Sequence, residues 1–193
     1  MAPDFLPVLE QAVRAIQNRT PRSFGKLTRI VTAGIFVAKG GAHEAGHACD
    51  FDRLVFENLG IAPIERDHLS PSLATRRRYW AFAATCRSVA APTLHGEYDE
   101  GPHDDHVHLA DNLPFGFSRA SHASVSFCQA MLNDIFGQTP KLTIDKRYGE
   151  KTDAAITAAL SRLRLDGTLD DPRVWRRFLR RSARLGFVLS VRQ

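Results

Sequence analysis

The sequence has little of what would place it among disulfide-stapled, membrane-spanning or disordered chains. Cysteine occurs three times in 193 residues, at Cys49, Cys86 and Cys128, with no CxxC pair. An odd, dispersed set of this kind excludes a disulfide framework and reads as buried, reduced thiols. No apolar run approaches the roughly 20 residues that cross a bilayer, which argues against membrane insertion. The opening MAPDFLPVLEQAVRAIQNRT lacks the basic start and unbroken apolar stretch of a secretory signal, so a chain made in the cytoplasm without a signal peptide is expected. With 44% hydrophobic and 24% charged residues, the chain has enough apolar surface to fold and is not disordered.

The formal net charge of +5 is unevenly spread. Residues 1–118 hold 12 Lys/Arg against 14 Asp/Glu, whereas residues 119–193 hold 14 against 7. An acidic, histidine-rich part suits a metal site and a basic part suits an anionic polymer, whether cell wall or nucleic acid. Asn112-Leu113-Pro114-Phe115-Gly116-Phe117-Ser118 supplies turn formers where the composition changes, so two units are expected, 1–118 and 119–193.

Periodicity predicts an amphipathic helix over residues 4–18, with Phe5, Leu6, Val8, Leu9, Ala12, Val13 and Ile16 at helical spacing. Ile30, Val31, Ile35, Phe36 and Val37, interrupted by Gly34, read as one or two short strands leading to Gly40-Gly41. Asp50 to Phe56 reads as a half-buried strand and Pro71 to Ala91 as a helix with Tyr79, Phe82, Ala83 and Cys86 on one face. Arg76-Arg77-Arg78 within that helix is expected to be a solvated face. Leu94 to Asp111, with Gly96, Gly101 and Pro102, reads as a loop running into a short strand at His106-Val107-His108-Leu109. Val125 to Phe136, Lys151 to Leu163 and Asp171 to Leu185 form three further helical patterns. The fold class is therefore α+β: a small antiparallel sheet with flanking helices carrying a metal site, and a C-terminal three-helix module.

The chemistry concentrates in two segments, His43-Glu44-Ala45-Gly46-His47-Ala48-Cys49-Asp50 and His103-Asp104-Asp105-His106-Val107-His108, which hold five of the eight histidines beside carboxylates. Imidazole nitrogen and carboxylate oxygen are ligands a catalytic Zn2+ accepts, with three protein ligands leaving one position open. On a strand, His106 and His108 share a face. The assignment is Zn2+ held by His43, Asp50 and His108, with His106 stabilising a developing oxyanion. A base is also required, and Asp104 or Asp105 can supply it; strict alternation favours Asp104, whereas Asp105 needs a bulge or a strand start. His68, His95 and His122, which stand singly, are expected to be ordinary surface or core histidines without a role in the site.

The first segment also spells HExxH at His43 to His47, the string of zincin metalloproteases, with Glu44 as base. That reading needs a helix with both histidines on one face. Gly46 inside it, and Gly40-Gly41 before it, oppose the helix by about 1 kcal/mol for each internal glycine.

His43-x-x-Gly46-x-Ala48-x-Asp50, followed by Asp105-x-x-His108, resembles the zinc D-Ala-D-Ala carboxypeptidase and endopeptidase superfamily, most closely its extensin-like C-terminal branch. There the pattern His-x-Asp-His-x-His recurs, matched by His103 to His108; Cys86-Arg87, Thr93-Leu94 and Tyr98 are similar as well. The resemblance spans roughly residues 26–111 and implies His43, Asp50 and His108 as zinc ligands and Asp105 as base. Gly41 stands where that family often has Ser, and its substrate-carboxylate Arg has no clear counterpart, Arg29 being the nearest candidate.

Residues 121–185, through Phe127 to Asn133, Leu142 to Gly149, Thr152 to Ile156, Leu165, Gly167, Val174-Trp175 and Phe178-Leu179, resemble the three-helix peptidoglycan-binding domain. They depart from it in lacking Asp-Gly before the aromatic-Gly turn and an aromatic-Gln pair near Leu160-Ser161. Trp175, Phe178 and the Ala155, Ile156, Ala159, Leu160, Leu163 stripe read as core. Arg173, Arg176, Arg177, Arg180, Arg181 and Arg184 read as a solvated face able to hold wall-peptide carboxylates.

Together the resemblances imply a zinc metallopeptidase acting on bacterial peptidoglycan, as an endolysin or an injected antibacterial effector, with an immunity protein or delivery machinery as further partners and no nucleic acid. It would act in the periplasm or cell wall after release or delivery. The alternatives are a non-catalytic wall-binding protein with structural zinc, its fourth ligand His47 or His103, and the zincin-type protease.

Overall fold

The computed structural model describes residues 1–35, 40–98 and 103–192. Phe36 and Val37 of the expected strand region, and Gly101 and Pro102 of the expected loop, lie outside the described residues. The elements in chain order are α1 (Phe5–Arg19), β1 (Leu27–Gly34), the single turn α2 (Gly41–Glu44), β2 (Ala48–Phe56), β3 (Gly60–Ile61), α3 (Leu73–Arg87), β4 (Thr93–Leu94), β5 (Val107–Ala110), α4 (His122–Met131), α5 (Glu150–Arg162) and α6 (Pro172–Leu189). A π-helical turn, Leu132–Phe136, extends α4. The α+β class and the antiparallel sheet agree with the sequence.

The sheet runs β1-β2-β5-β4, with β3 also pairing β2, and every pairing is antiparallel. Strand β2 is its centre, and its first five residues are all buried. The pairing of β1 with β2 steps from Val31↔Arg53 to Thr32↔Phe51, leaving Asp52 as the extra residue of a β-bulge. Strict alternation would put Phe51 on the opposite face from Leu54 and Phe56. The bulge shifts the parity, so Cys49, Phe51, Leu54 and Phe56 can all be buried on the helical side. Phe51 packs edge-on against Phe82 of α3, and Phe56 against Phe24, which in turn meets Phe187 of α6. Asp50 and Asp52 are left for the other face, where the histidines lie.

Helix α3 is buried from Tyr79 to Arg87 without interruption, so it is a central helix rather than an amphipathic one. Its Ser72 cap accepts from Thr75 N. Helix α6 lies along it so closely that a Cβ at Gly186 would stand 3.0 Å from Ala81 Cβ and 3.2 Å from Arg77 O. The segment around residue 118 is irregular, and packing crosses it: Trp80 meets Phe127, which meets Trp175. Arg87, 6% exposed, donates to Thr93 O on one side and to Ala123 O and Ser124 Oγ on the other, tying α3 to β4 and α4.

The arginine run of α3 departs from expectation. Arg76 Nε donates to both oxygens of Asp134 at 3.1 Å and Arg77 Nε to Asp134 O at 2.9 Å, while Trp80 Nε1 donates to Asp134 Oδ2. These side chains are half-buried clamps on the end of α4, not a solvated face. The thiols are free and buried, as expected; burial pushes those of Cys49 and Cys128 up to about 12. Of the single histidines, His68 and His95 are buried and His122 is exposed. Among the described residues no helix is long and apolar enough to cross a membrane.

Candidate metal centre

His43, Asp50 and His108 converge from three elements, one from the turn α2 and two from neighbouring positions on β2 and β5, where Asp50 pairs directly with His108. The helical turn holding His43 stops at Gly46, whose φ of +76° is open to glycine and strained for other residues. The next residues then enter β2 and bring Asp50 beneath His43. One ligand atom from each of the three residues lies within 4.8 Å of the other two. They are 4%, 3% and 7% exposed. Such a set is close enough to bind a metal ion.

The contacts are those of a tight donor triangle. Asp50 Oδ1 lies 2.8 Å from His108 Nδ1 and Asp50 Oδ2 lies 3.0 Å from His43 Nε2, while the two imidazole nitrogens approach to 3.2 Å. Burial alone would raise the Asp50 carboxyl. The His108 hydrogen bond and the neighbouring His106, His108 and His43 rings outweigh it and hold the carboxyl below its ordinary value. Asp50 is therefore an anion in a buried place, with two ring nitrogens turned to the same point. The two nitrogens and one oxygen match the donors that zinc accepts.

His106 and His108 share a face, as the period-two spacing requires. His106 Nε2 stands 3.6 Å from Asp50 Oδ1, and its Nδ1 lies 2.8 Å from Asp105 Oδ1. Strand β5 begins only at Val107, so the alternation that favoured Asp104 does not extend back to it. Asp104 instead pairs with Arg66 Nη2 at 2.6 Å, and Asp105, 57% exposed at its side chain, remains beside His106. Asp105 reaches the triangle through His106 and does not touch it. The His103 ring sits 5.1 Å from that of His106 and 5.8 Å from that of His108.

The helix that the HExxH reading needs is absent: α2 is one turn, Glu44 is exposed, and His47 turns to Asp111 at 2.9 Å. His47 is likewise not placed as a fourth ligand. Arg29 is exposed on β1. Asp52 is the residue that sequence reasoning missed. It is 8% exposed; burial, with Asp105 and Asp50 adding to it, raises its carboxyl above the usual range against the pull of His106 and the Ala33 backbone. The spacing of Asp50 and Asp52 along a strand was the available signal. Compared with family models, with curated proteins and with solved structures, the chain matches none.

Proposed function

We propose that the chain is a zinc-dependent peptidase that cuts stem or cross-link peptides of bacterial peptidoglycan. The observation that carries this reading is the buried triangle of His43, Asp50 and His108. Its residues occupy the positions at which the sequence resembles the D-Ala-D-Ala peptidase superfamily, and the His106–Asp105 pair stands beside it. The triangle would hold Zn2+, which when bound supplies a Lewis acid and brings the pKa of water to about 7. Asp105 would take the proton of the water that adds to the scissile carbonyl carbon and return it to the amine nitrogen as the C–N bond breaks. His106, with Nε2 turned to the centre, donates to the oxygen of the scissile carbonyl as charge develops there.

The test is digestion of purified peptidoglycan, with released fragments identified by mass spectrometry. Wild type should release peptide fragments cut at one bond type, which also names the bond. Asp105→Asn should keep its metal and lose release, and Glu44→Gln should keep both. Loss of activity in Glu44→Gln with retention in Asp105→Asn would turn the assignment over to the HExxH reading.

A further inference from the structure

Helix α6 presents a surface that neither the metal centre nor the folding of the chain explains. Beyond Pro172, every exposed residue of α6 is an arginine: Arg173, Arg176, Arg177, Arg180, Arg181 and Arg184. The helix contains no Asp or Glu. Among the described residues none of the six forms an ion pair; the paired arginines are Arg14, Arg53, Arg66, Arg76 and Arg119.

Helix stability does not account for the arrangement. Like charges three and four residues apart destabilise a helix, and all six stand in such relations to one another. Cations favour the C-terminal end of a helix, yet Arg173, Arg176 and Arg177 lie in its first two turns and the last turn has no basic residue.

The six divide by what they touch. Arg176 stacks over the Phe115 ring at 4.1 Å, and Arg181 donates to Leu163 O and Arg164 O at the end of α5. The remaining four, Arg173, Arg177, Arg180 and Arg184, fall within about 60° of arc by the 3.6-residue turn and form one line about 16 Å long, with steps of about 4.5–6 Å. The opposite face, with Trp175, Phe178, Leu179, Ser182 and Gly186, is buried in the core, so the row is held on a rigid support.

We propose that this row is a docking surface for a linear polyol-phosphate chain, a phosphodiester polymer without bases, lying along α6. A single line of guanidinium forks fits a chain that carries one phosphate per repeat. A helix that lies on a membrane sinks an apolar face into it, whereas the apolar face of α6 is spent on the core. Single-stranded nucleic acid is held by aromatic stacking as well as charge, and the aromatic residues of α6 are all buried. The position fits a tether. The metal triangle projects from the face of β2 opposite Phe51, and Phe51 meets α3, on which α6 packs, so a chain bound along α6 leaves the metal face open. The inference goes beyond the proposed peptidase activity and does not depend on it.

The test is binding of fluorescent poly(glycerol phosphate) to the full chain over a range of salt. Arg173→Gln/Arg177→Gln/Arg180→Gln/Arg184→Gln should bind about tenfold or more weakly at low salt, and its slope of log K against log salt should fall by about three, at about 0.7 per phosphate contact. A charge-matched control, Arg22→Gln/Lys26→Gln/Lys141→Gln/Lys151→Gln, should bind within a factor of about two of wild type, and the fourfold Lys version of the row should regain most of the salt slope. Circular dichroism on each variant establishes that it is folded; should the fourfold Gln variant not fold, Arg173→Gln/Arg177→Gln carries the comparison with the control, its slope falling by about 1.4. Equal losses in row and control variants would overturn the proposal. So would equal or tighter binding of poly-glutamate, a single-stranded oligonucleotide or phosphatidylglycerol vesicles.

Discussion

His95 allows the sharpest quantitative prediction, because its burial is complete and its partner is known. The ring is 0% exposed, packed at 5.3 Å from Trp80 and 5.8 Å from Phe127, and its Nε2–H donates 3.0 Å to Ala123 O. Burial, reinforced by Arg87, lowers its pKa from 6.5 to about 3. A histidine depressed in the folded state binds more protons when unfolded, so stability falls as pH drops below the unfolded value of 6.5 and goes on falling to the folded value. At 1.36 kcal/mol per unit, the loss from this one group between pH 7.5 and pH 5 is about 2 kcal/mol, with a ceiling of about 5 kcal/mol near pH 3. The perturbation is His95→Gln, which keeps a donor for Ala123 O and removes the titration. Urea unfolding at closely spaced pH values, in chelator so that bound metal adds nothing, gives ΔG against pH for both proteins. The variant is less stable at neutral pH through poorer packing, but its curve should be flatter by about 2 kcal/mol between pH 7.5 and pH 5. Parallel curves would refute the reasoning.

Two further substitutions test the packing that places the site. At Gly46 a Cβ would lie 2.6 Å from Ala2 N, and φ is +76°, so Gly46→Ala should cost on the order of 1–3 kcal/mol in thermal or urea unfolding and weaken metal retention by displacing His43; an unchanged midpoint would contradict the turn. Asp134→Ala removes the acceptor of Arg76 Nε and Trp80 Nε1 together, and leaving those donors buried should cost about 2–4 kcal/mol, read from the urea midpoint. A loss below about 0.5 kcal/mol would show that the clamp between α3 and the end of α4 does not stabilise the fold.

Much of this architecture can be read from the chain because the signals are local. The helical pattern of Phe5 to Ile16, the arginine-against-apolar alternation of α6 and the stripe from Ala155 to Leu163 each report one buried face, and each became a helix. The triangle was legible for the same reason: His43 and Asp50 sit in one short segment, and His106-Val107-His108 needs only the period of a strand. What escaped depends on contacts between distant segments. Arg76 and Arg77 carry no mark in their own surroundings of the Asp134 they bind, so a run of charge reads as solvent-facing. Helix α3 is covered on all sides by elements far away in sequence, which its own periodicity does not register. The bulge at Asp52 breaks the alternation on which strand reading rests, and through it Phe51, Leu54 and Phe56 reach one side of the sheet. Between Asp104 and Asp105 the spacing left a choice, because the contacts that distinguish them, Arg66 on Asp104 and His106 on Asp105, depend on the folded chain.

The central claim is that one divalent ion is held by His43, Asp50 and His108. Its most direct measurement is the metal content per chain, by inductively coupled plasma mass spectrometry, of the purified protein and of His43→Ala, Asp50→Ala, His108→Ala and His47→Ala. The account predicts one zinc per chain in the wild type and in His47→Ala, and its loss in each of the other three. A wild-type protein without bound transition metal, or full occupancy after replacement of any of the three ligands, would contradict it.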